Sequence, residues 1–541
     1  MRTVTGPTDR VVVVGAGLGG LACALHLAAA GRQVTVVERE SGPGGRAGRL
    51  TVDGYDFDTG PTVLTMPSLI EEPLAAVGEK LTDWLELAPL DPAYRAHYPD
   101  GSTLDVRTDT VAMAAEISRV CGPREADGYL RFVDFAGRLW RLERDNFIDR
   151  NLDTPIDLLN LSLLKLLGMG GLRRLQPKVN QFFRDPRTRR IFSFQAMYAG
   201  LAPQDALAIY AVIAYLDSVA GVYYPAGGMH AVPTALAGAA TKHGVEFRYD
   251  TTATAVDVSG GRATGVIVDG GERIPADVVV LNPDLPIAYR DLLGSVPRRL
   301  RYSPSCVVLH IGSSARYAKI AHHNIHFGAT WKGTFDEVIR KGLLMSDPSL
   351  LVTNPTRTDP SARGETYYVL APAPNLAAAP LDWRGGLGQR YADELIAVLE
   401  KRGYVGFRND MEVLRVITPT DWADQGMAAG TPFAAAHTFR QTGPFRPGNL
   451  HRSLGNVVFT GSGTQPGVGV PMVLISGKLA AARVTGLSHR ASGSFRPSPG
   501  ASGASQHGNG FFRRGSESSP GASGCSQRGN GFFRRGSGGG A

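Results

Sequence analysis

An α/β architecture is predicted for this 541-residue chain, and three observations predict it. The chain opens with "VVVVGAGLGGLACALHLAAAGRQVTVVE" (11–38), which reads as strand, glycine loop, helix and second strand. More than four hundred residues later, "TGSGTQPGVGVPMVLISGKLAAA" (460–482) brings another glycine loop and helix. Between them lie long helical or mixed stretches, more chain than one core accommodates. The expected assembly is a Rossmann-type nucleotide-binding domain gathered from discontinuous segments (10–75, 222–284 and 441–486). An α+β substrate domain, which also faces the membrane, is expected from 76–221 and 285–440.

Each element follows from its residues. Val11–Val14 is a continuous apolar run, as in a parallel strand buried on both faces. It ends at Gly15; Leu18–Ala30 has helical periodicity closed by Gly31, and Gln33–Glu38 is the next strand. Residues 244–282 alternate at period two with Gly-Gly breaks, predicting an antiparallel meander and then one fully apolar strand, Val278–Leu281. A last strand, Val457–Thr460, leads into the second loop. The tail is different: "SPGASGASQHGNGFFRRGS" (498–516) recurs as "SPGASGCSQRGNGFFRRGS" (519–537). Such Gly/Ser/Arg composition cannot bury enough apolar surface to fold, so 491–541 is expected to be disordered. The alternative is that each "GFFRRG" touches anionic lipid through its aromatics and arginines.

Bulk properties exclude several classes. The net charge of +8 falls to +3 once six tail arginines and Glu517 are set aside, so the body offers no case for nucleic acid. Cys23, Cys121, Cys306 and Cys525 form no CxxC, which argues against disulfide, zinc and dithiol chemistry; no metal is expected. The polar start "MRTVTGPTDR" shows no secretory signal, and no apolar run is long enough to span a bilayer. A cytoplasmic protein is the default.

In the first loop, Gly15 allows the tight turn and Gly17 lets backbone approach a pyrophosphate. Gly20 lets the helix pack on the sheet, and Glu38, eighteen residues on, accepts from a ribose hydroxyl. Glu38 does not separate NAD from FAD. Gly44-Gly45-Arg46 follows at once, where paired glycines admit a flat ring system and Arg46 reaches phosphate or ring carbonyl oxygens.

The stretch 11–67, with "GGRAG" and "DTGPTVLTMP", resembles the flavin-binding start of bacterial phytoene desaturases. These belong to the wider FAD superfamily of amine oxidases and GDP-dissociation inhibitors. The likeness continues through 191–237, "HTFRQTGPFRPGNL" (437–450) and "VVFTGSGTQPGVGVPMVLISGKLAA" (457–481), covering essentially 10–485. It implies FAD as cofactor, with Ala16, Arg39, Gly45 and Gly60-Pro61-Thr62 joining Gly15, Gly17, Gly20, Glu38 and Arg46 around it. It also implies that Gly461 and the loop Gly467-Val468-Gly469-Val470-Pro471 lie against the flavin, with Met472 and Val473 starting a helix aimed at the ring. A helix N-terminus there stabilises the negative charge of reduced flavin. One cofactor therefore needs both loops.

The implied substrate is phytoene or a related carotenoid hydrocarbon, dehydrogenated stepwise by hydride transfer to flavin N5. With no second GxGxxG unit, electrons are expected to leave to a quinone or oxygen. Rival readings are a diapophytoene or late-step desaturase, a ketolase, or a prenyl-lipid carrier without flavin. An amine oxidase would bring an aromatic cage before the final loop, where only Phe459 stands. No catalytic side chain is identified: Gln195 and His230 are either polar contacts near the ring or satisfied structural residues. Thr154, Pro155 and Asp157 read as the capped start of a helix running through the leucines to 175. That helix, followed by Arg173, Arg174, Lys178, Arg184, Arg187, Arg189 and Arg190, reads as core-facing or as an interfacial helix on the inner face of the membrane.

Overall fold

The computed structural model describes residues 1–359 and 364–487. The expectations for 491–541, including both "GFFRRG" repeats and Cys525, lie outside the described residues.

Five short strands form one fully parallel sheet, in the order 246–248, 33–37, 10–14, 278–281 and 457–459. They come from both ends and the middle of the chain. Alternation within the first strand explains its unbroken apolar run. Val11 and Val13 face the helices, among them Leu18–Ala29 and Val470–Thr485. Val12 and Val14 face a three-stranded antiparallel meander of 253–259, 262–268 and 273–275. The expected meander therefore begins later than its pattern suggested. Glu246–Arg248 leaves it to become the edge strand beside Gln33–Val37, paired in parallel at Phe247 and Val36.

A second, seven-stranded sheet runs 411–417, 305–313, 365–373, 350–353, 323–326, 94–97 and 103–106. It is antiparallel except where 323–326 meets 94–97. Every residue of Ser305–Ser313 is buried. Val307, Leu309 and Ile311 pack beneath the helix Gly388–Lys401, whereas Cys306 and His310 turn to a large internal cavity.

Two expected helices differ. The segment 154–175 is not one helix: a 3-10 turn, Pro155–Leu158, carries the expected capping box of Thr154 and Asp157, and Asn160 caps a separate helix, Leu161–Gly168. Leu159 and Asn160, both outside helical backbone and Asn160 fully extended, break the run. The C-terminal helix begins at Val470, two residues ahead of Met472, because Gly469 at φ +109° serves as its N-cap and Pro471 suits its first turn.

Candidate active site

A cavity of about 1630 Å³ runs from both glycine loops into an apolar interior. At its first end, the helix Leu18–Ala29 starts at Gly17 with no side-chain cap and no acid in its first turn. Its leading N–H groups are therefore left for an anion. A Cβ at Gly20 would overlap the Gly15 carbonyl oxygen, and one at Gly17 would sit 2.7 Å from Asn282 Oδ1. Gly15 lines the cavity at φ +98°, which suits glycine. Ala16 and Gly20 lie behind the lining: Ala16 donates to Glu38 Oε2 at 2.6 Å, and its carbonyl accepts from Gly44 at 3.0 Å.

Glu38 is buried, lines the cavity and accepts a second bond from the Glu40 N–H at 3.0 Å. Each carboxylate oxygen keeps a further lone pair, so a ribose hydroxyl is accommodated without breaking these ties. Arg39 also lines the cavity, but its guanidinium bonds Glu40 and the Gln425 carbonyl. The close approach that needs Gly44 and Gly45 is to the first loop: Gly44 bridges Gly17, and a Cβ at Gly45 would lie 3.3 Å from Gly17 Cα. Gly60, Pro61 and Thr62 line the cavity; at Gly60 a side chain would overlap the Arg46 carbonyl.

Arg46 ties the two loops together. It donates to Ser462 Oγ and lies 3.6 Å from the buried Asp284 carboxylate. At the second loop the Gly461 N–H donates to Ser476 Oγ at 3.0 Å. A Cβ at Gly467 would overlap the ring of His437, which approaches the Val468 N–H. Gly467, Val468, Gly469, Val470, Pro471 and Met472 all line the cavity, as does Gly461. The helix they lead into packs along Leu18–Ala29, backbone close to backbone where Gly477 meets Ala22 and Cys23. Two helix N-termini, neither capped by a side chain, thus open on one cavity.

Beneath the second loop Arg446 is buried without a carboxylate bond. It donates to four carbonyls: Thr464 (3.0 Å), Ala435 (3.2 Å), Gln441 (3.3 Å) and Ser462 (2.6 Å). Burial pulls its guanidinium down to about 10, so it stays charged at neutral pH. Sequence reasoning did not single out Arg446, Asp284, Asn282, Ser476 or His437. Arg446 and His437 stand within the stretch "HTFRQTGPFRPGNL", the one signal that could have marked them.

Beyond the loops the lining turns apolar, with Trp140, Leu163, Leu166, Ile209, Ile213 and Leu216 among its residues. Few polar groups interrupt it. Tyr210 pairs with Thr442 at 2.7 Å, and His437 is held neutral by burial, well below its ordinary range. His230 lines the cavity with Nδ1 2.9 Å from the Ala47 carbonyl; Gln195 lies outside the lining and donates to Ile191. Glu143 and Asp217 also line this apolar portion. Burial pushes Glu143 well above the carboxylate range and Asp217 up to about 7. Phe459 turns away from the cavity to stack on Tyr289 at 5.0 Å between the parallel sheet and its meander.

A parallel sheet, a buried acid at the end of its second strand and two open helix ends on one elongated cavity define an FAD-dependent oxidoreductase. The residues fit the cofactor: the glycine cradle would be filled by side chains, and Glu38 stands ready for a ribose. Comparison with known proteins narrows the class. The model of flavin-containing amine oxidoreductases matches residues 18–330 and 396–485. A phytoene dehydrogenase of Streptomyces griseus is 55% identical, the match covering 93% of this chain and all of the relative. A zeta-carotene-forming phytoene desaturase of Myxococcus xanthus is 38% identical over 90% and 96%. Among solved structures, cyclohexylamine oxidase from Brevibacterium oxydans matches the fold with a TM-score of 0.55 at 15% identity, covering 89% of this chain and 99% of that one. The chain belongs to the flavin-containing amine oxidoreductase family, among its phytoene desaturases.

Proposed function

We propose that this chain dehydrogenates phytoene, or a carotenoid hydrocarbon close to it, in carotenoid biosynthesis. The observation that carries the reading is the joining of two environments in one cavity: open N–H groups and Glu38 at one end, an apolar interior at the other. Bound FAD supplies a two-electron acceptor. The chain's own residues hold the cofactor through the first loop and Glu38. The second helix N-terminus would face the flavin's reactive end, and the apolar lining would exclude water from a substrate that has no polar handle. A quinone or oxygen is the proposed final acceptor.

The substrate dissolves in lipid, and the cavity mouth suits a lipid surface on the membrane's inner face. Ile156, Leu159, Leu161, Leu164 and Leu167 are between 47% and 75% exposed, while Leu158, Leu159, Leu163 and Leu166 of the same stretch line the cavity. Exposed Lys165, Arg173 and Arg174 flank them, charges that favour anionic headgroups. The basic run is less free than its sequence suggests: Arg187 pairs with Asp185, Arg190 donates to the Gly328 and Ala329 carbonyls, and Lys178 lies over Phe135. Among the described residues no helix is long and apolar enough to cross a membrane.

Purified protein with FAD and liposomes carrying phytoene should yield red-shifted carotenoid bands, whose positions report the number of double bonds added. Flavin bound, oxygen or quinone supplied and no colour formed would remove phytoene as substrate. Replacing Leu161 and Leu164 by Glu should abolish flotation with anionic liposomes while FAD stays bound; undiminished flotation would remove the lipid-facing assignment.

A further inference from the structure

Desaturation removes two hydrogens, and only one of them leaves with its bonding electrons. The other departs as a proton, and within an apolar cavity it needs an acceptor. Six carboxylates line the cavity: Glu38, Glu40, Glu143, Asp217, Asp284 and Asp291. Four of them belong to the nucleotide side or are already engaged. Glu38 ties the first loop, Glu40 pairs with Arg39, Asp284 faces Arg46 and Asp291 pairs with Arg290. Glu143 and Asp217 line the apolar portion, Asp217 beside Tyr94 and Gln195.

We propose that Asp217 is the proton acceptor of the dehydrogenation, a catalytic residue facing the substrate. This rests on the hydrocarbon substrate proposed above. Asp217 is 96% buried by its relative exposure of 4%, lines the cavity, and keeps Oδ2 without a hydrogen-bond partner among the described residues. Its place in the fold is specific. It lies in the turn Leu216–Ala220, which packs against Leu64–Thr65, the continuation of the cavity-lining Gly60-Pro61-Thr62. The turn therefore stands where Leu64–Thr65, which follows Gly60-Pro61-Thr62, meets the apolar interior.

The chemistry balances. One C–H bond breaks with its electron pair, leaving as hydride to the two-electron acceptor. The adjacent C–H bond gives its electrons to the new C=C bond and its proton to Asp217. The hydrocarbon is oxidised, and the carboxylate becomes a carboxylic acid. Loss of hydride makes the neighbouring C–H strongly acidic, so a carboxylate is base enough. Burial raises Asp217 to about 7, against the opposing pull of Tyr94 and Gln195 beside it, so it exists in both forms at neutral pH. The titratable groups around it do not compete as bases there: Tyr94 and Tyr198 are held far up by burial, and His323, 5.5 Å from Tyr94, is held neutral. Burial raises Glu143 well above the carboxylate range.

The test uses the FAD-loaded protein mixed anaerobically with phytoene-bearing phosphatidylcholine vesicles, following flavin bleaching against pH. In the unsubstituted protein the bleaching rate should rise as pH climbs through about 7, as Asp217 ionises. Asp217→Asn should slow bleaching by about a hundredfold or more and lose that midpoint. Asp217→Glu should keep a slower reaction with a displaced midpoint. Infrared difference spectra without substrate give a second readout: a protonated-carboxyl band that grows as pH falls through the same range and is missing from Asp217→Asn. Bleaching of Asp217→Asn at the original rate overturns the proposal. So does loss of the midpoint in Glu143→Gln with Asp217→Asn unaffected. If Asp217→Asn does not fold, Asp217→Glu and the infrared titration of the unsubstituted protein decide, and absence of a titrating carboxyl there overturns it. If phytoene fails to bleach even the unsubstituted protein, the substrate reading falls, and the infrared titration decides the carboxyl's state by itself.

Discussion

The two glycine loops face one cavity yet are built in opposite ways. The first is held by its own neighbourhood: Gly15 donates to Val37, Ala16 to Glu38, and Gly44 to Ala16, all within thirty residues of chain. The second is held mainly by side chains: Arg446 beneath and His437 beside it, with Arg46 across the cavity and the Leu152 partner of Gln465 reaching it from distant parts of the chain. At Gly20 the first loop needs glycine because a side chain would meet the loop's own Gly15 carbonyl. The clamped loop needs it because other side chains have taken the space. Damage should differ accordingly: the first loop fails with the sheet, the second fails separately.

The largest effect tests the first half of that contrast. In Gly20→Val the new Cβ would overlap the Gly15 carbonyl, so strand, loop and helix cannot all keep their places. The loss should be on the order of 4 kcal/mol, with colourless, thermally labile protein. Retention of yellow colour and of the unsubstituted protein's melting temperature would show that the helix shifts freely. Next is Arg446→Met, which leaves four buried carbonyls without their donor. A loss on the order of 3 kcal/mol is expected. Adenosine diphosphate, a probe of the first loop alone, should still bind while FAD weakens; equal weakening of both would show that the loops are one unit.

Acid should separate the loops as well. Burial holds His437 well below its unfolded value of about 6.5. A depressed pKa means the unfolded chain takes up the proton first, so stability is full above about 6.5 and declines as pH falls below it. The slope is about 1.4 kcal/mol per pH unit for this group while the folded imidazole stays neutral. Flavin release at pH 5 should be weaker in His437→Gln than in the unsubstituted protein; equal release in both would acquit this histidine. The smallest effect is Ser462→Ala, which removes the acceptor for Arg46 at a cost of about 1 kcal/mol, visible as a modest loss of FAD affinity with an unchanged fold.

By itself the sequence determined the parallel sheet, the first loop and the presence of a second. Apolar runs, glycine spacing and the acid at Glu38 act over short stretches, so pattern and chemistry coincide along the chain. It also marked the capping box of Thr154 and Asp157, a four-residue device. Where pattern is ambiguous it misled. Glu246–Arg248 alternates like a meander strand, but the open edge beside Gln33–Val37 claimed it. The 154–175 leucines read as one helix, but Leu159 and Asn160 break it. Only the tertiary structure decided that Arg46 should join Ser462, four hundred residues away, and that Arg446 should lie under the second loop. It alone placed the turn that holds Asp217 against Leu64–Thr65, the short strand that follows Gly60-Pro61-Thr62. An aspartate in an apolar run looks the same whether it faces solvent, core or cavity. Its chemistry comes from the desolvation and the neighbours that folding supplies.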